Sequence, residues 1–288
     1  MKRHTLPLAV LFLLTLLAPL AGASEAPLQD DLDAPLVEWF HGEGEHDALE
    51  ALEERSSAGE VRLLHWRLNA DQTGSDFPND DARLRADALG IVDGPAVAVN
   101  GRVLPDLDQA TLESALNDAE YRRVLAFEGT VSMVEADGEA AVLIRGTVRP
   151  LENLSEHVIV LVTLTEDGAV DRHGRTATHL VRDMRPEVAF ARDVGNSSDV
   201  LWTMTPDHLE AAGVDLSAQS LGYRLSMIVV EHGIVLQSHT QSLPSPSSNM
   251  DRGTALAVLP LTCVVLVVLA LVLRGEMKTD QALPSIGA

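Results

Sequence analysis

The sequence predicts an α/β domain followed by an all-β domain, with one C-terminal transmembrane helix behind them. Three observations carry this reading. Between Leu36 and Ala119, short apolar runs alternate with stretches of helical spacing. From Leu125 onward, the apolar residues recur at every second position. Near the end, Thr254 to Leu273 carries no formally charged residue, and its length matches the ~20 residues a helix needs to cross a bilayer.

Composition narrows the function classes. The chain has 288 residues and a formal net charge of -22. Lysine occurs only at Lys2 and Lys278. An acid excess of this kind gives a hydrated acidic surface and argues against nucleic acid, because phosphate binding needs basic clusters. Aromatic residues make up 3%, so the cores must be built from Val, Leu, Ala and Ile. The single cysteine, Cys263, lies inside the apolar run. The preceding chain therefore has neither thiol nor disulfide.

The two ends predict a topology. Met1–Ala23 reads as a secretory signal: Lys2 and Arg3, the apolar centre Leu6–Leu17, then the small residues Ala21-Gly22-Ala23. The rival reading is an uncleaved first membrane helix. Residues 24–35 form a Pro/Asp-rich leader. Residues 243–253 form a Pro/Ser stalk of extended character. Thr254–Leu273 is the expected span, with a buried core helix as the alternative. Arg274 closes it, and residues 274–288 are the expected cytoplasmic tail. The expectation is a single-pass protein of the cell membrane, its body outside and its C-terminus in the cytoplasm.

The first domain is expected over residues 36–122. Leu36–Phe40 reads as a buried strand and His41–Gly44 as a turn. Asp47 and Glu50 have capping-box spacing, which starts a helix running to about Glu54. Val61–Leu68 is the next strand, and Asp80–Leu89 a second helix with Gly90 at its C-cap. Pro95–Val99 and Arg102–Leu104 flank an Asn100-Gly101 tight turn. Leu112, Ala115, Leu116 and Ala119 mark a last helix face.

That order resembles a minimal thioredoxin-like domain. The resemblance rests on Val37-Glu38-Trp39-Phe40, on Gly94-Pro95 entering the third strand, and on the hairpin Val97–Arg102. It implies a cis peptide bond at Pro95, facing the N-terminus of the first helix. It also implies a redox Cys-x-x-Cys pair after Gly44, where this chain has Glu45-His46-Asp47-Ala48. Disulfide exchange needs an attacking thiolate and a resolving thiol, and these residues supply neither. What the resemblance leaves is a frame for binding an extended peptide, with His41, His46, Asp47, Gly94 and Pro95 as candidate binding residues.

Other chemistry is weakly signalled. His41, Glu43, Glu45 and His46 crowd one turn and could ligate zinc, but their spacing matches no zinc signature, and a solvated acidic loop is the competing reading. His65 sits beside Trp66 in a strand, so the two face opposite sides. Asp71, Asp76, Asp80 and Asp81 lack calcium-hand spacing. Arg172, Arg175, Arg182 and Arg185 could form an anion patch, though interspersed acids favour surface pairing. Asn153 and Asn196 open glycosylation sequons. No nucleophile-elbow sequence frames any serine. No cofactor is expected.

The second domain is expected over residues 123–242. Strands alternate with turns at Asp137-Gly138, Asp167-Gly168 and His232-Gly233. Thr205-Pro206 caps a short helix ended by Gly213. This pattern suggests an immunoglobulin-like β-sandwich. Exported proteins that join a thioredoxin-like domain to such a module are similar in layout. The functional expectation is a non-catalytic, membrane-anchored binding or assembly protein whose partner is an exported protein, a peptide or an envelope component. The alternatives are a metal-dependent hydrolase using the His41–Asp47 cluster and an accessory subunit of a thiol-disulfide oxidoreductase acting in trans.

Overall fold

The computed structural model describes residues 24–28, 34–41, 47–68, 80–120, 122–136, 139–170, 176–214, 216 and 222–244, all within the unit Ala23–Ser245. Its first elements are β1 (Ser24–Pro27), β2 (Leu36–His41), α1 (Asp47–Ser57), β3 (Arg62–Arg67), α2 (Asp80–Leu89), β4 (Ala96–Val99), β5 (Arg102–Val103) and α3 (Gln109–Asn117). Strand β2 runs parallel to β3 and antiparallel to β4, and β4 turns into β5. The turn uses Asn100 and Gly101 at φ 47 and 78, the left-handed pair that such a hairpin requires. Asp108 caps α3 by accepting the Thr111 N–H at 2.9 Å.

Alternation decides what each face of β2 meets. Val37 and Trp39 pack with Leu52 of α1 and Leu112 of α3. Leu36 and Phe40 pack with Ala82 and Ala86 of α2. Glu38 shares the second face and is fully buried. Arg85 of α2 answers it side-on: Nε donates to Oε1 at 2.8 Å and Nη2 to Oε2 at 2.7 Å.

The later elements are β6 (Leu125–Ala136), β7 (Glu139–Pro150), β8 (Val158–Glu166), β9 (Ala169–Val170), β10 (Thr176–Ala177), β11 (Leu180–Glu187), β12 (Ser198–Met204), α4 (Pro206–Ala211), β13 (Tyr223–Glu231) and β14 (Ile234–Ser242). One sheet has the order β1-β6-β7-β12, and the pair β10-β9 stands apart. The β-branched run of β8 is buried on both faces. Val158, Val160, Val162 and Leu164 join the core beneath β6 and β7, while Leu161 joins Leu36, Phe40 and Trp66.

The fold class is corrected here. Separate thioredoxin-like and immunoglobulin-like folds were expected. Instead the described residues form a mixed α/β fold around one eight-stranded sheet, ordered β14-β13-β8-β11-β3-β2-β4-β5. The join is the parallel bridge Leu180↔His65, with the His65 N–H donating to His179 O at 2.9 Å. Without β11, strand β3 would leave an edge of unpaired backbone groups. The sheet curls enough to bring its turns together. A Cβ on Gly101 would lie 2.3 Å from Gly233 O, and the Val235 N–H donates to Asn100 O at 3.0 Å.

The expected anchor is corrected as well. Among the described residues no helix is long and apolar enough to cross a membrane. The longest, α1, has 11 residues and buries only one stripe, against the ~20 needed for a span. No described helix therefore supports the expected membrane anchor, the single-pass topology or the membrane as partner. Thr254–Leu273 and the signal at Met1–Ala23 lie outside the described residues.

Candidate functional site

Helix α1 ends in a defined way. The Glu60 N–H donates to Arg55 O and the Gly59 N–H to Ser56 O, with Gly59 at φ 76. This is a Schellman closure, which satisfies the last carbonyls. Leu52 seats the helix on the sheet, and the closure fixes Ser56 in the last turn.

Opposite it, β8 ends and the chain turns at Asp167-Gly168. The short β9–β10 pair then returns the chain to Thr178 and His179, just before β11. Thr178 Oγ1 donates to Glu53 Oε1 of α1 at 2.7 Å. His179 stands at φ 49, a left-handed conformation uncommon for a residue with a side chain. Its backbone is held on both sides: its N–H donates to Asp167 Oδ1 at 3.1 Å, and its carbonyl takes the His65 N–H.

The side chains complete a chain of contacts. His179 Nδ1 lies 2.6 Å from Asp167 Oδ1, and His179 Nε2 lies 3.0 Å from Ser56 Oγ. Arg224 Nε meets Asp167 Oδ2 at 2.9 Å. Burial acts to raise the Asp167 pKa, but the His179 hydrogen bonds and the His179 and Arg224 charges outweigh it and hold the carboxyl below its ordinary range. A carboxylate at Oδ1 fixes the proton of neutral imidazole on Nδ1. Nε2 is then an acceptor for the Ser56 hydroxyl.

Ser56 and His179 line a cavity of about 320 Å³ that Val61, Leu63 and Leu64 also border. Its polar lining is Arg62, Arg224, Thr165, Ser226 and Thr240. The pattern of β13 explains the placement. Along one face Arg224 and Ser226 are followed by Ile228 and Val230, which join the apolar core. The polar end of that face, Arg224 and Ser226, lines the cavity. Arg62 Nη1 donates to Ser238 O at 2.9 Å, and Ser226 Oγ lies 2.7 Å from Thr240 Oγ1. Among these described lining residues there is no Asp or Glu.

The sequence-predicted residues lie elsewhere. Gly94–Pro95 is a cis peptide bond, as expected from the resemblance. Gly94 packs against the end of β2, where an added Cβ would lie 2.7 Å from His41 O. Asp47 is the exposed first residue of α1. His41 and Gly94 are thus brought together, while Glu43, Glu45 and His46 lie outside the described residues. His65 is buried beside His41, with ring centroids 5.5 Å apart. Burial, then Arg67, His41 and His179, push the His65 pKa well down.

The remaining candidates have structural roles or lie outside the described part. Asp81 accepts the Met184 N–H at 2.8 Å. Arg182 meets Glu166 at 3.3 Å and Arg185 meets Glu187 at 2.8 Å, so neither forms the anion patch. Arg172, Arg175, Asp71 and Asp76 lie outside the described residues. Asn153 and Asn196 are exposed, and Asn153 Oδ1 accepts the Val194 N–H.

No group of His, Cys, Asp or Glu among the described residues could hold a metal ion, so no described cluster supports the metal-dependent hydrolase alternative, whose Glu43, Glu45 and His46 lie outside them. The described unit has no cysteine and is inert in thiol exchange. The Ser56–His179 contact spans 123 positions, so no local motif could reveal it. The chain matches no protein-family model, and no curated protein matches it.

Proposed function

We infer that the described unit is a ligand-binding domain whose cavity takes a small anionic molecule, with a carboxylate or phosphate as the recognised group. One observation carries this. In a chain of net charge -22, the cavity collects Arg62, Arg224 and His179 with four hydroxyl side chains, and no Asp or Glu lines it, Asp167 pairing with His179 and Arg224 from outside the lining. A cleft whose lining carries one sign of charge focuses its potential where a ligand can enter. Guanidinium groups suit planar oxyanions. The volume of about 320 Å³ lies at the small end of the range for ligand sites.

The test is calorimetric titration of the full chain with succinate and, separately, with inorganic phosphate. Saturable binding that weakens with added salt and falls at least tenfold in Arg62→Gln is the expected result. Absence of binding to both, or equal binding by the variant, refutes the reading.

A further inference from the structure

We propose that Ser56 is a base-activated acyl-acceptor hydroxyl, and that the cavity it lines admits anionic acyl esters. This rests on the anion-binding reading of the same cavity and adds a chemistry to it. Nucleophilic serine needs three things: a base within hydrogen-bond reach, a group that fixes the tautomer of that base, and room for the reacting carbonyl. His179 Nε2 stands 3.0 Å from Ser56 Oγ. Asp167 Oδ1 stands 2.6 Å from His179 Nδ1. The cavity borders both Ser56 and His179.

Several features separate this arrangement from a chance surface contact. The three residues come from the end of α1, the end of β8 and the entry to β11, and each is fixed by bonds of its own. Ser56 is fixed by the Schellman closure, and His179 by backbone bonds to Asp167 and His65. Asp167 is fixed by Arg224. The His179 side chain is 12% exposed and that of Asp167 24%, so water reaches the pair sparingly. The φ of 49 at His179 is a conformation that persists only where the surroundings impose it, and such residues gather at functional sites.

The step balances without an outside reagent. Ser56 Oγ bonds to the carbonyl carbon of the ester while its proton passes to His179 Nε2. The bond from that carbon to the leaving oxygen then breaks, and the leaving oxygen takes the proton from His179. Asp167 is a positioning residue that holds the imidazole and offsets its transient charge. Arg62, which lines the same cavity, supplies positive charge for the ester's acid group and for the oxyanion, while Arg224 stays paired with Asp167.

The experiment uses the full chain and p-nitrophenyl hydrogen succinate as probe. It reads p-nitrophenolate release and locates the adduct by peptide mass. The expected result is a burst approaching one equivalent, with succinyl on the peptide containing Ser56. Ser56→Ala should abolish the adduct, and the control Ser57→Ala should retain it. His179→Gln should slow labelling by about 100-fold or more. Asp167→Asn should slow labelling and also shift the His179 ring nitrogen resonances as its tautomer changes, which a purely structural role would not do. Adduct on Ser57 in place of Ser56, or undiminished labelling in folded His179→Gln, overturns the proposal. Absent labelling with succinate binding intact removes the nucleophile and leaves the ligand reading standing. Labelling at Ser56 without any succinate binding supports the nucleophile and removes the ligand reading.

Discussion

Arg85 ties three elements together, and its loss should be among the costliest single changes in the described unit. It projects from α2 to the Glu38 carboxylate of β2, and its Nη2 also donates to Gly233 O in the β13–β14 turn at 3.1 Å. Glu38 is 0% exposed and Arg85 3%, so neither charge can turn to water. Arg85→Met keeps much of the side-chain volume and removes the charge. The Glu38 carboxylate is then left on an apolar face between Leu36 and Phe40, and Gly233 O loses a donor. Breaking one partner of such a pair costs about 3–5 kcal/mol, a large share of the ~5–15 kcal/mol that holds a typical domain together. The assay is urea denaturation of the full chain followed by circular dichroism. The midpoint should fall with little change in slope. Adding Glu38→Leu to Arg85→Met should recover most of the loss, since a well-packed apolar pair tolerates this position better than a lone charge. A loss under about 1 kcal/mol for Arg85→Met, the ordinary size for a point change, would refute the argument. So would a double variant as unstable as the single one.

Two further outcomes follow from polar groups held by fixed partners. Gln237 is 4% exposed; its Oε1 accepts the N–H groups of Val124 and Leu125, and its Nε2 donates to Leu125 O. Gln237→Leu strands these groups at about 1–3 kcal/mol each, which the same denaturation series measures. Asp167 has a folded pKa below its unfolded value. The unfolded chain therefore binds more protons between the two, and the Asp167 contribution is present above about pH 3.9 and lost as pH falls through the folded value. Asp167→Asn should flatten the acid limb of the stability curve below about pH 4, followed by thermal unfolding across pH. An unchanged acid limb would count against the His179–Asp167 contact.

The sequence by itself determined most of the elements, though β1 falls within the expected leader. Near-continuous apolar runs set β2 and β8, because a strand buried on both faces needs apolar residues on each. The capping spacing at Asp47 and the glycines at 90 and 101 set a helix start, a helix end and a turn, since these are local backbone preferences, whereas α1 runs past the expected end at Glu54 to Ser57. The lack of a thiol ahead of Cys263 settled thiol chemistry outright. The tertiary structure decided the rest. Periodicity states that a face is buried and not which partner covers it, so nothing local showed that β11 would dock on β3 and merge two expected folds into one sheet. Edge strands present the same N–H and C=O groups regardless of sequence. Glu38 gave no sign of its answer either, because Arg85 lies 47 residues away. Ser56, Asp167 and His179 read separately as a helix-end serine, a turn aspartate and a loop histidine. They became one site only because the closure of α1 and the β9–β10 return bring hydrogen-bonding atoms within about 3 Å, a distance that chain spacing does not encode.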